Sequence, residues 1–197
     1  MGQPQASDLS LQDYLAIESE DDIRYEYHHG EIFAMAGGSL AHALIVANLG
    51  FLLIRETRAN GNDCRAFTSE LKVEVSEGSR YVYPDASVVC PKPNESHVLK
   101  GSVRNPKVVV EVISPSSAGY DQGAKRRYYF FIPSVEEYLL VEQDSPVVTL
   151  YRRRKGDDLY RIITIEGLEE TIELTSINVE LTLKEIYQDV DFTTASK

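Results

Sequence analysis

Three runs within residues 83–125 decide the reading: Pro84-Asp85-Ala86-Ser87-Val88-Val89, Val108-Val109-Val110-Glu111-Val112-Ile113-Ser114-Pro115 and Tyr120-Asp121-Gln122-Gly123-Ala124-Lys125. The first belongs to an apolar stretch over 81–90 and the second to one over 107–114, and both read as central strands covered on two faces. Each carries one carboxylate, Asp85 or Glu111. Burying an ionised carboxylate without a partner costs several kcal/mol or more, and two on neighbouring strands repel one another. A hard divalent cation taking oxygen ligands, Mg2+ or Mn2+, removes that conflict. The competing reading places both groups at strand ends, solvated or paired with arginines. The third run reads as a helix from about 119 to 131, opened by Ser116 or Ser117 and stopped by Pro133. Lys125 follows Asp121 by four residues, so the two share a helix face with Tyr128 close by. They form either a surface ion pair or, if the face meets the sheet, an ammonium aimed at a reacting phosphate.

Outward from this centre, Gly37-Gly38-Ser39 caps a helix over about 40–60, with Leu44, Ile45, Leu49, Leu52 and Leu53 at helical spacing. Before it, Arg24-Tyr25-Glu26-Tyr27 and Glu31-Ile32-Phe33-Ala34-Met35 flank His28-His29-Gly30, a hairpin signal. A short amphipathic helix begins at Ser10. Residues 64–75 read as one strand, 91–104 as a polar surface loop, and 137–142 as another central strand. A hairpin over 147–153 and 159–165 follows, turning at Lys155-Gly156-Asp157-Asp158. The tail over 171–190 reads as a strand and a short helix opened by Thr182. Helix, strands, helix, strand is the order of an α/β unit. One domain over 1–197 is expected, with its core at about 40–145: a mixed β-sheet flanked by helices, extended by the N-terminal hairpin and the C-terminal strands.

The chain has 197 residues, 43% hydrophobic and 26% charged, an ordinary globular balance. No uninterrupted apolar run approaches the ~20 residues of a membrane span, and residues 1–10 lack the pattern of a signal peptide. With Cys64 and Cys90 read as small buried core residues in a reducing compartment, a cytoplasmic location is expected. A net charge of −11 argues against tight nucleic-acid binding. Residues 64–161 nevertheless hold fifteen bases against thirteen acids. Lys125, Arg126, Arg127 and Arg152 to Lys155 are therefore the bases that suit a phosphate-facing groove.

The order Pro84-Asp85, a gap, then Glu111 on a valine-rich strand resembles the PD-(D/E)XK restriction-endonuclease-like fold. There the lysine usually stands two residues after the acid, where this chain has Ile113. Arg24-Tyr25-Glu26 with Gly30-Glu31, His42, Asn48-Leu49, Pro84-Asp85, Glu111-Val112-Ile113-Ser114-Pro115-Ser116, Asp121, Lys125 and Tyr128 together resemble the Uma-two family. That family is a widespread bacterial group proposed as endonucleases and long known as a domain of unknown function. The resemblance covers about 10–145. It implies Mg2+-dependent (or Mn2+-dependent) hydrolysis of phosphodiester bonds in nucleic acid, with DNA the expected substrate. Asp85 and Glu111 would be metal ligands, the Val112 carbonyl a third, and Lys125 the stand-in for the missing strand lysine. Glu26, Glu31, His42, Asp121 and Tyr128 are additional site candidates, each with a bland alternative as an exposed, capping or packing residue. A non-catalytic DNA-binding protein that keeps the nuclease fold is the alternative function. No membrane partner is expected, and a homodimer is compatible with the sequence.

Overall fold

The computed structural model describes residues 4–20, 23–35, 37–61, 63–114, 117–156 and 159–192. In chain order, α1 (Leu11–Glu20) is followed by β1 (Tyr25–His28), β2 (Glu31–Ala34) and α2 (Leu40–Ala59). Six strands come next: β3 (Arg65–Thr68), β4 (Lys72–Ser76), β5 (Arg80–Val82), β6 (Ala86–Val89), β7 (Ser102–Val103) and β8 (Pro106–Ile113). Then α3 (Ala118–Tyr120), a π-helical turn (Asp121–Lys125) and α4 (Arg126–Phe130) run on as one helical stretch. The chain continues with β9 (Glu137–Glu142), β10 (Val147–Arg153), β11 (Tyr160–Glu166), β12 (Thr171–Leu174), β13 (Val179–Thr182) and α5 (Leu183–Ile186).

The mixed α/β architecture is as expected, but the strands divide between two large sheets. One is six-stranded in the order β11-β10-β9-β8-β6-β3; the other is five-stranded in the order β2-β1-β5-β4-β7, and β12 and β13 pair separately. The stretch over 64–75 is therefore two strands in different sheets, turning at Ser69 and Glu70. The stretch over 81–90 is likewise broken at Tyr83-Pro84-Asp85, where the chain leaves β5 for β6. Proline cannot donate to a ladder, which makes this a natural place to change sheets. Asp85 thus stands at a corner instead of inside a strand. The segment over 91–104 contains β7 and buries Ser96 and Leu99, so it is more than a surface loop. The tail forms two strands before α5, which Thr182 caps through the Glu185 N–H.

The six-stranded sheet is covered on both faces. On one, Val88, Val108, Val110, Val112 and Leu139 pack with Ile45, Leu49, Leu52 and Leu53 of α2 and with β12, β13 and α5. On the other, Val89, Val109, Ile113, Tyr138 and Leu140 meet Tyr129, Ile132 and Val135, together with Val73, Val82 and Val103 of the smaller sheet. By strand alternation, Glu111 belongs to this second face. The parallel strands β8 and β9 are joined through the helical stretch over 118–130, as a parallel pair requires. That connection lays the helix across the Glu111 face.

By length and composition α2 is apolar enough to cross a membrane. Here it is packed on the sheet, Ser39 caps its N-terminus, and Asn48 donates to the carbonyls of Ile186 and Gln188. Its fit is close at Gly50, where a Cβ would meet the Thr68 methyl at 3.1 Å. The β1–β2 hairpin turns at His29 and Gly30, with φ values of 50° and 93°, both left-handed as a type I′ turn demands. Cys64 and Cys90 form a disulfide instead of standing as free thiols. The cause is register: Arg65 pairs with Val89, so the next step outward sets the two cysteines opposite each other. Asp157 and Asp158 of the expected β10–β11 turn lie outside the described residues.

Candidate active site

Asp85 and Glu111 meet because β6 and β8 are antiparallel neighbours. Ala86 pairs with Val110, and one step further sets Asp85 against Glu111. Asp85 is locked to that strand by its Oδ2, which accepts the Val112 N–H at 2.7 Å. From the end of α2, His42 brings Nε2 to 3.4 Å from the same oxygen. The bond to Asp85 raises the His42 pKa above its ordinary value, against the opposing effect of burial.

Lys125 reaches this pair from the helix. Its Nζ lies 2.9 Å from Glu111 Oε1, 3.0 Å from Glu26 Oε1 and 3.2 Å from the Tyr83 carbonyl oxygen. Three acceptors match the three ammonium hydrogens. Burial alone would lower the Lys125 pKa, but Glu111, Glu26 and Asp121 outweigh it, and the ammonium is held charged well above its usual range. The π turn over Asp121–Lys125 buries Asp121 and Lys125 together, and Tyr129 follows on the same face. Single π turns inside helices are frequent at functional sites. Asp121 is buried and not part of a surface ion pair; burial raises its pKa.

Around this centre sit Tyr129 and His28, which are not expected at the site from the sequence, and Glu26, an additional candidate with an exposed carboxylate as its alternative. Tyr129 donates to Glu111 Oε1 at 2.7 Å. Glu26, only 4% exposed, is a partner of Lys125 and no surface carboxylate. Burial would raise its pKa, but Lys125 and His28 together bring it down to about 2. Its Oε2 accepts from the Tyr120 hydroxyl at 3.0 Å and lies 3.3 Å from His28 Nε2. His28 is a buried member of β1, not a loop residue. These contacts join β1, β5 and the helix, so they depend on tertiary pairing and leave no local pattern. Tyr129 alone had a local signal, four residues after Lys125.

Other expectations fare differently. Glu31 is exposed at the start of β2, outside the buried cluster. Tyr128 is half-buried and carries the Arg80 guanidinium over its ring at 3.8 Å. The proposed basic groove does not form as expected. Arg152 is bound to Glu137, Arg153 donates to the Phe130, Ile132 and Val135 carbonyls, and Arg126 donates to the Tyr151 hydroxyl. Pro115 and Ser116 of the Glu111–Ser116 run lie outside the described residues, although Ser114 and Ser117 exchange hydrogen bonds across them.

The donor set suits a hard divalent ion. Glu111 has burial raising its pKa, with Asp85 and Asp121 adding to the rise and Lys125 opposing it. Among the described residues Glu111 Oε2 and Asp85 Oδ1 accept no hydrogen bond. No group of three or more His, Cys, Asp or Glu residues is gathered for a metal among the described residues. Mg2+ does not need one, since it is commonly held by one or two carboxylates with waters and substrate phosphate. A surface cleft of about 470 Å3 is lined by Asp63, Cys64, Cys90, Pro91, Lys107 and 175–178, without these carboxylates.

A family model for Uma2, described as "Putative restriction endonuclease", matches residues 11–184. Two uncharacterized proteins of Synechocystis sp. (strain ATCC 27184 / PCC 6803 / Kazusa) are related. One, slr1290, is 35% identical over 185 residues, covering 93% of this chain and 94% of its own length. The other, sll1609, is 30% identical over 171 residues, covering 87% and 95%. A crystal structure of a "putative nuclease belonging to DUF820" from Anabaena variabilis superposes with a TM-score of 0.71 at 17% identity. It covers 91% of this chain and 97% of the other, a likeness of fold. With the model spanning most of the sequence and these relatives matching nearly end to end, the chain belongs to the Uma2 family.

Proposed function

We propose that this protein is a metal-dependent endonuclease that hydrolyses phosphodiester bonds, with DNA as its substrate. The observation that carries the reading is Lys125 Nζ at 2.9 Å from Glu111, beside the cross-strand partner Asp85, in a chain whose strand position 113 is isoleucine. Asp85, Glu111 and the Val112 carbonyl would hold Mg2+ or Mn2+. Such an ion supplies Lewis-acid polarisation of the phosphate and a more acidic bound water.

The remaining work falls to the chain itself. Lys125 offers a fixed positive charge where the phosphate gains negative charge, and preorganised charge of this kind lowers a barrier without reorganisation. Glu26 and the Tyr83 carbonyl aim the ammonium, and Tyr129 holds the Glu111 carboxylate. His42 borders Asp85 from the first turn of α2 and fits the role of a positioning residue.

Calorimetric titration with Mn2+ and a plasmid-nicking assay test this together. Asp85→Asn should abolish cleavage and weaken Mn2+ binding severely. Mn2+ should also raise the melting temperature of the wild type only, since a ligand of the native state stabilises it. Equal Mn2+ affinity in both proteins would remove Asp85 from the site. A second reading, a non-catalytic DNA-binding protein, draws on the full occupation of the Lys125 hydrogens by protein acceptors. Retained DNA binding without nicking in Mn2+ would favour it.

A further inference from the structure

Glu26, Asp85, Glu111 and Asp121 crowd around Lys125, and this excess of negative charge would repel a polyanion. Most of the arginines expected to offset it are engaged elsewhere. Arg80, outside that expected set, is brought to the cluster by the fold. In the β1–β5 ladder it stands opposite His28. Its Nε donates to His28 Nδ1 at 3.1 Å, and its guanidinium lies 3.8 Å from the Tyr128 ring centroid. Arginine only donates, so Nδ1 is the acceptor and Nε2 carries the His28 hydrogen towards Glu26. Lys125, Glu26, His28 and Arg80 therefore form one continuous chain of polar contacts. Arg80 is half-buried, and its Nη1 and Nη2 have no acceptor among the described residues. A planar fork fixed at Nε and over a ring, with its outer edge unspent, matches the geometry of a phosphate.

We propose that Arg80 is a phosphodiester subsite that grips the nucleic-acid backbone next to the bond being cut, an inference that rests on the nuclease reading. Arg80 precedes Tyr83, whose carbonyl holds Lys125, by three residues along the chain. At about 3.3 Å per extended residue the separation is roughly 10 Å. That is one to a few nucleotides on a strand whose phosphates advance about 3.4 Å each along the axis. Tyr128 and His28 act as positioning residues for the guanidinium.

The test is fluorescence anisotropy of a labelled DNA duplex in EDTA, which blocks cleavage, over a series from low to physiological salt. Wild type, Arg80→Gln and Arg80→Lys are compared, with circular dichroism melting to check the fold. Arg80→Gln should weaken binding about tenfold at low salt and reduce the slope of log affinity against log salt by about one. Arg80→Lys should restore the slope while leaving affinity below wild type, because it keeps the charge but loses the fork. A residue that merely props His28 would leave the slope unchanged. Wild-type binding with equal slopes in all three proteins overturns the subsite and leaves the nuclease reading intact. An absence of DNA binding by the wild type, in EDTA and also with Ca2+ in place of EDTA, overturns both. Arg80-dependent binding without nicking in Mn2+ supports the subsite and counts against turnover alone.

Discussion

Two buried glutamates sit on neighbouring parallel strands and have opposite surroundings. Glu137 on β9 pairs with Val108, and Glu111 on β8 pairs with Leu140. Glu137, fully buried, takes Arg152 Nε at 2.8 Å, the Ser176 hydroxyl at 2.6 Å, the Ser176 N–H at 3.2 Å and the Thr175 hydroxyl at 3.4 Å. Both of its oxygens are engaged, and one arginine balances its charge. Glu111 takes Lys125 and Tyr129 on a single oxygen, shares Lys125 with Glu26, and feels Asp85 and Asp121 nearby. A buried carboxylate whose demands are met is a structural element. One crowded by other carboxylates around a shared cation has a remaining need for positive charge, which is what a metal or a phosphate-bound cation supplies.

Removing the cation from each cluster separates the two cases most sharply. Lys125→Ala should cut plasmid nicking by on the order of a hundredfold or more, with Mn2+ binding by calorimetry retained. It should also destabilise the fold by about 3–5 kcal/mol, because Glu26 and Glu111 lose their shared partner. The nicking assay therefore belongs at a temperature where circular dichroism finds the variant folded. Ile113 shares the Glu111 face, so Ile113→Lys in the Lys125→Ala background should restore part of the activity. In contrast, Arg152→Met should lower stability by about 2–3 kcal/mol, the scale of a hydrogen bond to a buried charge. Its nicking rate should match wild type. If Lys125→Ala cuts as well as wild type, the two glutamates differ in packing only.

Acid titration gives a second contrast. Glu26 falls from an ordinary 4.5 to about 2, with Lys125 and His28 overcoming the effect of burial. The folded protein thus binds fewer protons than the unfolded one between those values. The stability that Glu26 confers is complete above pH 4.5 and is lost as the pH falls towards 2. Denaturant melts across this window should show Glu26→Gln losing stability less steeply than wild type, by up to about 1.4 kcal/mol per pH unit. Parallel profiles would mean that Glu26 is not ionised against Lys125.

What the sequence reveals of this arrangement is its local part. The valine run before Glu111 and the run over 137–142 are legible as buried strands, and Asp85, Glu111 and Lys125 are legible as charges needing partners. The division of 64–75 and 81–90 between two sheets is hidden, because apolar periodicity does not say which neighbour a strand will pair with; Pro84 is its one local hint. Glu26, His28 and Arg80 enter the cluster only through the β1–β5 ladder, a contact between residues more than fifty positions apart. The Cys64–Cys90 bond is of the same kind, set by β3–β6 register. Glu31, by contrast, looks equivalent to Glu26 in sequence, and only the packing of the hairpin buries one and exposes the other.

The smallest expected effect comes from a matched pair of single-hydroxyl deletions. Tyr129→Phe removes the 2.7 Å donor to Glu111, and Ser176→Ala removes the 2.6 Å donor to Glu137. Each takes one neutral hydrogen bond from a buried carboxylate, so each should lower stability by about 1–2 kcal/mol in denaturant melts. Their consequences for metal binding should differ. Without the tyrosine donor, Glu111 keeps more negative charge available to an incoming cation, and Mn2+ affinity should rise a few-fold. Ser176→Ala acts on a carboxylate with no role at the metal and should leave Mn2+ affinity where it was. A rise confined to Tyr129→Phe ties the hydroxyl, the carboxylate and the ion into one site. Identical calorimetric traces for the two variants would place Glu111 outside the metal's coordination and make it a second Glu137.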